Sequence, residues 1–329
     1  MKKYTALLLF AFLLNGCDDG DLTVDEIDFE SIETTQACDP LTNTLIYKLK
    51  DQEALLLQMP EGKIINDPGT YTYDIDSKGS GQYRVVYRAY DGKVATANIC
   101  GTIPPSIPRV TEEWLGTDGQ IEIQTDQNEK DNANNDGGSR ITGYTHSIIF
   151  RNITFNKPSG IQTDEKLVFG TYNTTVTPAD LTFKPNPNGT AYECSDIKRV
   201  YNYNAAFYIS IDDIDPALIV NTVTPENQPR TSLITATMNK VFYKTVKADT
   251  GIFTEANICA GTGPTIEQTW TGQLGKAATS GIISVSTTVT ANVYTHTIVL
   301  KNVILEKGNS HFKLGNSFVL GKIERVGPN

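Results

Sequence analysis

The chain has 329 residues, enough for two units of ordinary size that each bury a core of their own. Hydrophobic residues make up 39% of it and the mean hydropathy is −0.27, which fits a soluble globular body. The formal charge of −10 comes with no basic cluster, so nucleic acid is excluded as a partner.

The first residues read as an export leader. Lys2 and Lys3 precede the apolar run ALLLFAFLL at 6–14, which is too short to stay in a bilayer as a spanning helix. The signal peptide then covers 1–16. Its junction, Leu14-Asn15-Gly16-Cys17, resembles a bacterial lipobox, with an apolar residue at −3, a small one at −1 and a cysteine after the cut. The resemblance implies that the Cys17 thiol takes a diacylglyceryl group and that its freed amine is acylated. Several chains on one residue give stable anchoring, where a single chain gives only marginal binding. Asp18-Asp19-Gly20-Asp21, directly after Cys17, resembles the acidic export signal of lipoproteins of the Bacteroidota type. That implies an outer-membrane protein facing the cell exterior. Residues 18–36 hold eight acidic side chains and no basic one, so 17–36 read as an extended, self-repelling tether.

The body repeats itself. Ala97-Asn98-Ile99-Cys100, Trp114 and YTHSIIFRNITF (144–155) return as Ala256-Asn257-Ile258-Cys259, Trp270 and YTHTIVLKNVIL (294–305). Repeat one spans 37–183 and repeat two 184–329, joined by a compact Pro- and Asn-Gly-containing linker around 177–190. Runs such as LIYKL, GTYTYDID, QYRVVYRAY and AFYISI are separated by turn signals, so each repeat reads as an all-β sandwich with immunoglobulin-like order as the default. Asp91-Gly92 predicts a hairpin between QYRVVYRAY and KVATANIC. DQEALLLQM at 51–59 is the one run with helical character.

The repeated strand changes phase at a polar pair. Apolar positions run at Ile148 and Phe150, then at Ile153 and Phe155; likewise at Ile298 and Leu300, then at Val303 and Leu305. Bulges are therefore expected near Asn152 and Asn302.

Cys38 with Cys100 and Cys194 with Cys259 flank intervals of 62 and 65 residues at matching places. In an exported protein the simplest reading is one disulfide per repeat. The rival is a zinc site, which needs four ligands gathered from two repeats without CxxC spacing.

The remaining candidates are few. The segment 125–139 is present only in repeat one and reads as a long loop. Within it Asn132, Asn134 and Asp136 imitate the first positions of a calcium loop, although Gly143 stands where the bidentate glutamate belongs. Calcium is the one cofactor suggested. His146 and His296 are copies at one strand position, expected to be hydrogen-bonded strand residues. Trp114 and Trp270 are candidate platforms for sugar rings, with packing as the competing role.

No GxSxG, HExxH or phosphate loop occurs. Ser195 and Lys198 have SxxK spacing but lack a KTG companion. Asp212, Asp213 and Asp215 sit before Pro216 as a loop. The expectation is a non-enzymatic interaction or accessory subunit of an outer-membrane complex. A glycan-binding accessory is second and an exported hydrolase third. Deleting Asp18–Asp21 is expected to leave the protein lipidated but shielded from protease added to whole cells; continued cleavage would refute surface export.

Overall fold

The computed structural model describes residues 26–132, 135–183 and 189–327; Cys17 and Asn134 lie outside the described residues. The body is all-β, and every pairing between named strands is antiparallel. In the first half the strands are β1 (Gln36–Ala37), β2 (Leu45–Lys50), β3 (Glu53–Gln58), β4 (Gly69–Asp74) and β5 (Arg84–Tyr90). After the short helix α1 (Thr96–Cys100) come β6 (Val110–Asp131), β7 (Ser139–Lys157) and β8 (Gly160–Thr175). They form one sheet in the order β1-β2-β3-β5-β6-β7-β8, with β4 paired to the far part of β6. The long strands fold over, so the two ends of one sheet supply both layers of a sandwich. Leu55, Leu57, Val85 and Trp114 from one layer meet Ile121, Ile123, Ile148 and Phe150 from the other.

The second half repeats this plan with the long strands cut at the bend. It runs β9 (Tyr192–Cys194), β10 (Arg199–Tyr203), β11 (Phe207–Asp212), β12 (Arg230–Leu233) and β13 (Lys240–Val246). Helix α2 (Glu255–Ala260) precedes β14 (Ile266–Gly272), β15 (Ile282–Thr290), β16 (Val293–Lys301), β17 (Ile304–Lys307), β18 (Ser310–Lys313) and β19 (Phe318–Val326). The sheets are β18-β17-β14-β13-β11-β10-β9 and β12-β15-β16-β19. The order β12-β15-β16 is what an immunoglobulin-like plan requires. However, β11 pairs with β13, where that plan would pair it with β14, so the expected order holds in one layer only.

The phase change is borne out. Asn152 and Asn302 both adopt left-handed backbone, φ 49°; Asn152 drops out of the strand pairing as a bulge, whereas at Asn302 the strand breaks between β16 and β17, and either way the inward face is reset. Asparagine tolerates that conformation better than branched residues do.

Three local expectations are corrected. The run at 51–59 contains strand β3, not a helix. Ala54 and Leu56 face one side while Leu55 and Leu57 face the other, and both sides are covered, so the apolar run is continuous. The segment after Asp91-Gly92 is not the second arm of a hairpin, because Thr96–Cys100 is helical. The repeated asparagine explains this. The backbone N–H of Ala95 donates to Asn98 Oδ1, and that of Thr254 to Asn257 Oδ1, while Asn257 N–H donates to Thr254 Oγ1. The third correction concerns the tether at residues 27–36. Ile27 and Phe29 are buried in the first core, and the Lys48 ammonium, itself buried, donates to the Phe29 carbonyl at 2.9 Å. Burial pulls the Lys48 ammonium below its ordinary range.

Each half is closed by the stretch ahead of its first cysteine. Thr34 bridges Thr171 in parallel, and Thr190 bridges Lys322. The neighbouring glycines, Gly170 (φ 119°) and Gly321 (φ 151°), leave room for this: an added Cβ would stand 2.9 Å from the Glu33 carbonyl oxygen or 2.8 Å from that of Gly189. Val176, Ala179, Leu181 and Phe183 already pack against the second core, ahead of the expected boundary at 183.

The expected disulfides, Cys38–Cys100 and Cys194–Cys259, are formed. Each ties its short helix to the outer face of its sheet, away from the sandwich core. Helices of five and six residues cannot hold themselves. Replacing either pair by serines is expected to cost about 2–5 kcal/mol, measured by chemical denaturation against the oxidised parent.

Candidate functional site

The segment 125–139 is not a long loop, which is a further correction. β6 extends to Asp131 and β7 starts at Ser139, so strand covers the first seven residues of the segment and its last. The extended hairpin reaches across to the second half and holds its edge strand β18. Gln127 accepts from the His311 backbone N–H at 3.0 Å and donates to its carbonyl at 2.9 Å, reproducing a strand-to-strand bridge with a side-chain amide. Ser139 Oγ accepts from Lys313 N–H, and the Arg140 guanidinium donates to the Lys313 carbonyl, both at 3.1 Å. On the opposite side Asp67 Oδ1 accepts from the N–H groups of Asn309 and Ser310 at 2.8 and 3.1 Å. Ile141 and Tyr144 of the hairpin are counted in the second core, and the Tyr144 hydroxyl lies 2.9 Å from Ser310 Oγ.

Beside this clamp the two halves enclose a cleft of about 460 Å³, within the usual range of small-ligand sites. Its floor is apolar and aromatic: Ile141 and Tyr144 from the first half, Phe207, Tyr243, Trp270 and Phe312 from the second. Asn66, Asp180, Glu267, Gln268 and Lys307 stand around it. Tyr243 is pushed up to about 12, first by burial and then by the Asp180 charge, so its hydroxyl keeps its proton at any physiological pH.

The structure separates the two tryptophans. Trp270 lines the cleft, with Nε1 donating to Gln268 Oε1 at 3.0 Å and Phe312 edge-on at 5.1 Å. Both are buried, at 3% and 6% exposure; Trp114 packs against Tyr87, with the Lys157 ammonium 4.5 Å over its ring and Nε1 donating to Glu112. Lys307 sits over Trp270 in the same way, at 5.2 Å. The Lys–Trp stack therefore belongs to the copied fold; only its surroundings differ.

The histidines are strand residues with partners. His146 Nδ1 lies 2.9 Å from Thr125 Oγ1 and Nε2 3.1 Å from Thr174 Oγ1. His296 repeats the threonine contact with Thr287 at 2.9 Å, and its Nε2 meets Asn221 Oδ1 at 3.2 Å. That oxygen only accepts, so Nε2 carries the proton and Nδ1 accepts from the threonine. Burial pulls His146 down to about 4 and lowers His296 as well.

At the expected cation loop, the Asp136 carboxylate accepts from Gly138 N–H at 2.8 Å and from the Asn132 amide at 3.0 Å. Asn132 thus turns a donor toward Asp136, not a ligand oxygen. The Gly138 contact first, then Asn132, holds Asp136 below the usual carboxylate range. Among the described residues no group of three or more His, Cys, Asp or Glu is gathered as metal ligands. The three aspartates near Pro216 are engaged separately: Asp212 pairs with Arg199, Asp213 with Lys240, and Asp215 caps Ala217 N–H.

Sequence reasoning missed Ile141, Tyr144, Tyr243 and Phe312, because alternation marks a residue as inward without saying whose core it enters. Comparison with protein-family models, with curated proteins and with solved structures finds no match for the chain.

His146 carries a pH prediction. Its folded-state pKa lies below its ordinary 6.5, so the unfolded chain takes up the proton first as pH falls. The stability it supports is present above pH 6.5 and is lost as pH falls toward 4. Between pH 6.5 and 4.5 the loss is about 2 kcal/mol from this residue. Urea midpoints followed across this window are expected to fall steeply for the parent and less steeply for His146→Gln. Parallel slopes would refute the assignment.

Proposed function

We propose that this chain is a surface-exposed outer-membrane lipoprotein acting as a non-enzymatic binding module, an accessory subunit whose ligand or partner enters the seam cleft. One observation carries the reading: the cleft is built only where the two copies meet, with Ile141 and Tyr144 from one and Tyr243, Trp270 and Phe312 from the other. An aromatic floor with a few polar groups around it is the usual make-up of a recognition site. The lipobox-like junction and acidic export signal support the location; lipid on Cys17 holds the module to the membrane.

The second reading is a glycan as the ligand. What favours it is the set of planar hydrogen-bonding side chains, Asn66, Asp180, Glu267 and Gln268, around the aromatic floor. Such groups bind paired hydroxyls while an aromatic ring takes the apolar face of the sugar.

Surface crosslinking of intact cells tests the first reading. Ala206→Trp, which fills the cleft from an exposed position, is expected to abolish co-purification of the partner, while Leu274→Trp outside it leaves capture intact. A protein found only as free monomer in native detergent extracts would sink the accessory-subunit reading. On a glycan array, Ala206→Trp and Trp270→Ala are expected to lose signal. Trp114→Ala is expected to keep it; both indoles are buried, so each Trp→Ala change is expected to lose about 3–5 kcal/mol of stability, and Ala206→Trp is the variant that separates binding from folding.

A further inference from the structure

The loop 101–109, between α1 and β6, is where the first half departs from its copy at the disulfide. The second half crosses the same gap with Gly261-Thr262-Gly263-Pro264-Thr265. The first uses Gly101-Thr102-Ile103-Pro104-Pro105-Ser106-Ile107-Pro108-Arg109. Ile103 and Ile107 expose 89% and 72% of their surface and belong to neither core. Three prolines fix much of the backbone, so presenting these side chains costs little further ordering. Singly exposed apolar side chains are ordinary, but two on one proline-stiffened loop that no core requires offer a surface for contact.

The place of this loop identifies its occupant. Arg109 N–H donates to Asp91 Oδ1 and its carbonyl accepts from Asp91 N–H, while Pro108 stands against Gly92. Val94 N–H donates to the Asp51 carbonyl, and Lys50, beside Asp51, pairs with Asp28 at 2.9 Å. The loop therefore shares one end of the first half with the point where the chain leaves toward Cys17. Eight residues, 18–25, separate Cys17 from the first described one. Even fully extended, that stretch and the anchor residue reach only ~30 Å.

We propose that the loop 101–109 is a membrane-resting loop, its Ile103 and Ile107 side chains set into the lipid surface that holds the anchor. This rests on the reading that Cys17 is lipidated.

Fluorescence quenching by brominated acyl chains tests it, with vesicles of phosphatidylethanolamine and phosphatidylglycerol. Ile107→Trp in the mature lipoprotein is expected to lose several-fold more fluorescence than Leu274→Trp, an exposed position in the second half. In a second arm the chain from Asp18 carries an N-terminal His tag and is held on nickel-chelating lipid, so attachment no longer depends on Cys17. An unquenched Ile107→Trp in that arm overturns the proposal. Quenching there, with a mature protein that fails to float with vesicles, overturns the lipid anchor and leaves the loop assignment standing. Ile103→Ser with Ile107→Ser is expected to reduce vesicle contact without lowering the melting temperature, because neither side chain is in a core.

Discussion

The edge of β18 is the constraint on which the joined structure depends. An exposed strand edge offers a row of unpaired N–H and C=O groups to any passing strand. Here those groups are met by side chains of the first half: Gln127 takes both backbone groups of His311, and Ser139 and Arg140 take those of Lys313. Asp67 holds the turn that leads into the strand. Individually such bonds are worth about 1 kcal/mol net; those to His311 and Asn309 are exposed, while Ser310, bonded to Asp67 and Tyr144, is buried, where an unmet partner would cost more. The two halves are consequently fastened through the edge that each copy of the fold would otherwise leave open.

What was copied is the means of closing a sandwich. Each half carries an asparagine in left-handed backbone at its strand bend and a histidine bonded to a threonine across the strand pair. Each carries a lysine over a buried tryptophan and a disulfide that ties a short helix to the sheet. None of these sets gathers chemistry at one point, since the members of each pair sit in different halves. The features with no copy are the clamp hairpin, the cleft beside it and the Pro-Ile loop at the other end of β6. The binding proposal is placed there because a duplicated fold leaves new surface only where its copies differ or meet.

The cleft also accounts for the different environments of equivalent residues. Trp114 and Trp270 have the same indole bond two residues upstream and the same lysine above the ring. Trp270 lines a cavity whose wall also includes Tyr144 and the 176–180 stretch. Similar local chemistry thus acquires different roles from what the tertiary packing brings alongside.

By itself the sequence determined the all-β class, the duplication, both disulfides and the bulge at Asn152, since these rest on local alternation, on matched spacing and on what asparagine tolerates at positive φ. The helical turn at Thr96–Cys100 was read as a strand, although Asn98 is placed to accept from the N–H three residues before it. Other features were decided only by the tertiary structure. Ile27 and Phe29 lie in an acidic stretch that reads as solvated, and nothing local says that a core will take them. Residues 125–131 look like a polar loop because an edge-clamping strand keeps polar side chains on purpose, to meet another strand's backbone. Period-two alternation records that a residue is buried; which half buries it depends on contacts between residues more than 160 positions apart, such as Tyr144 and Ser310.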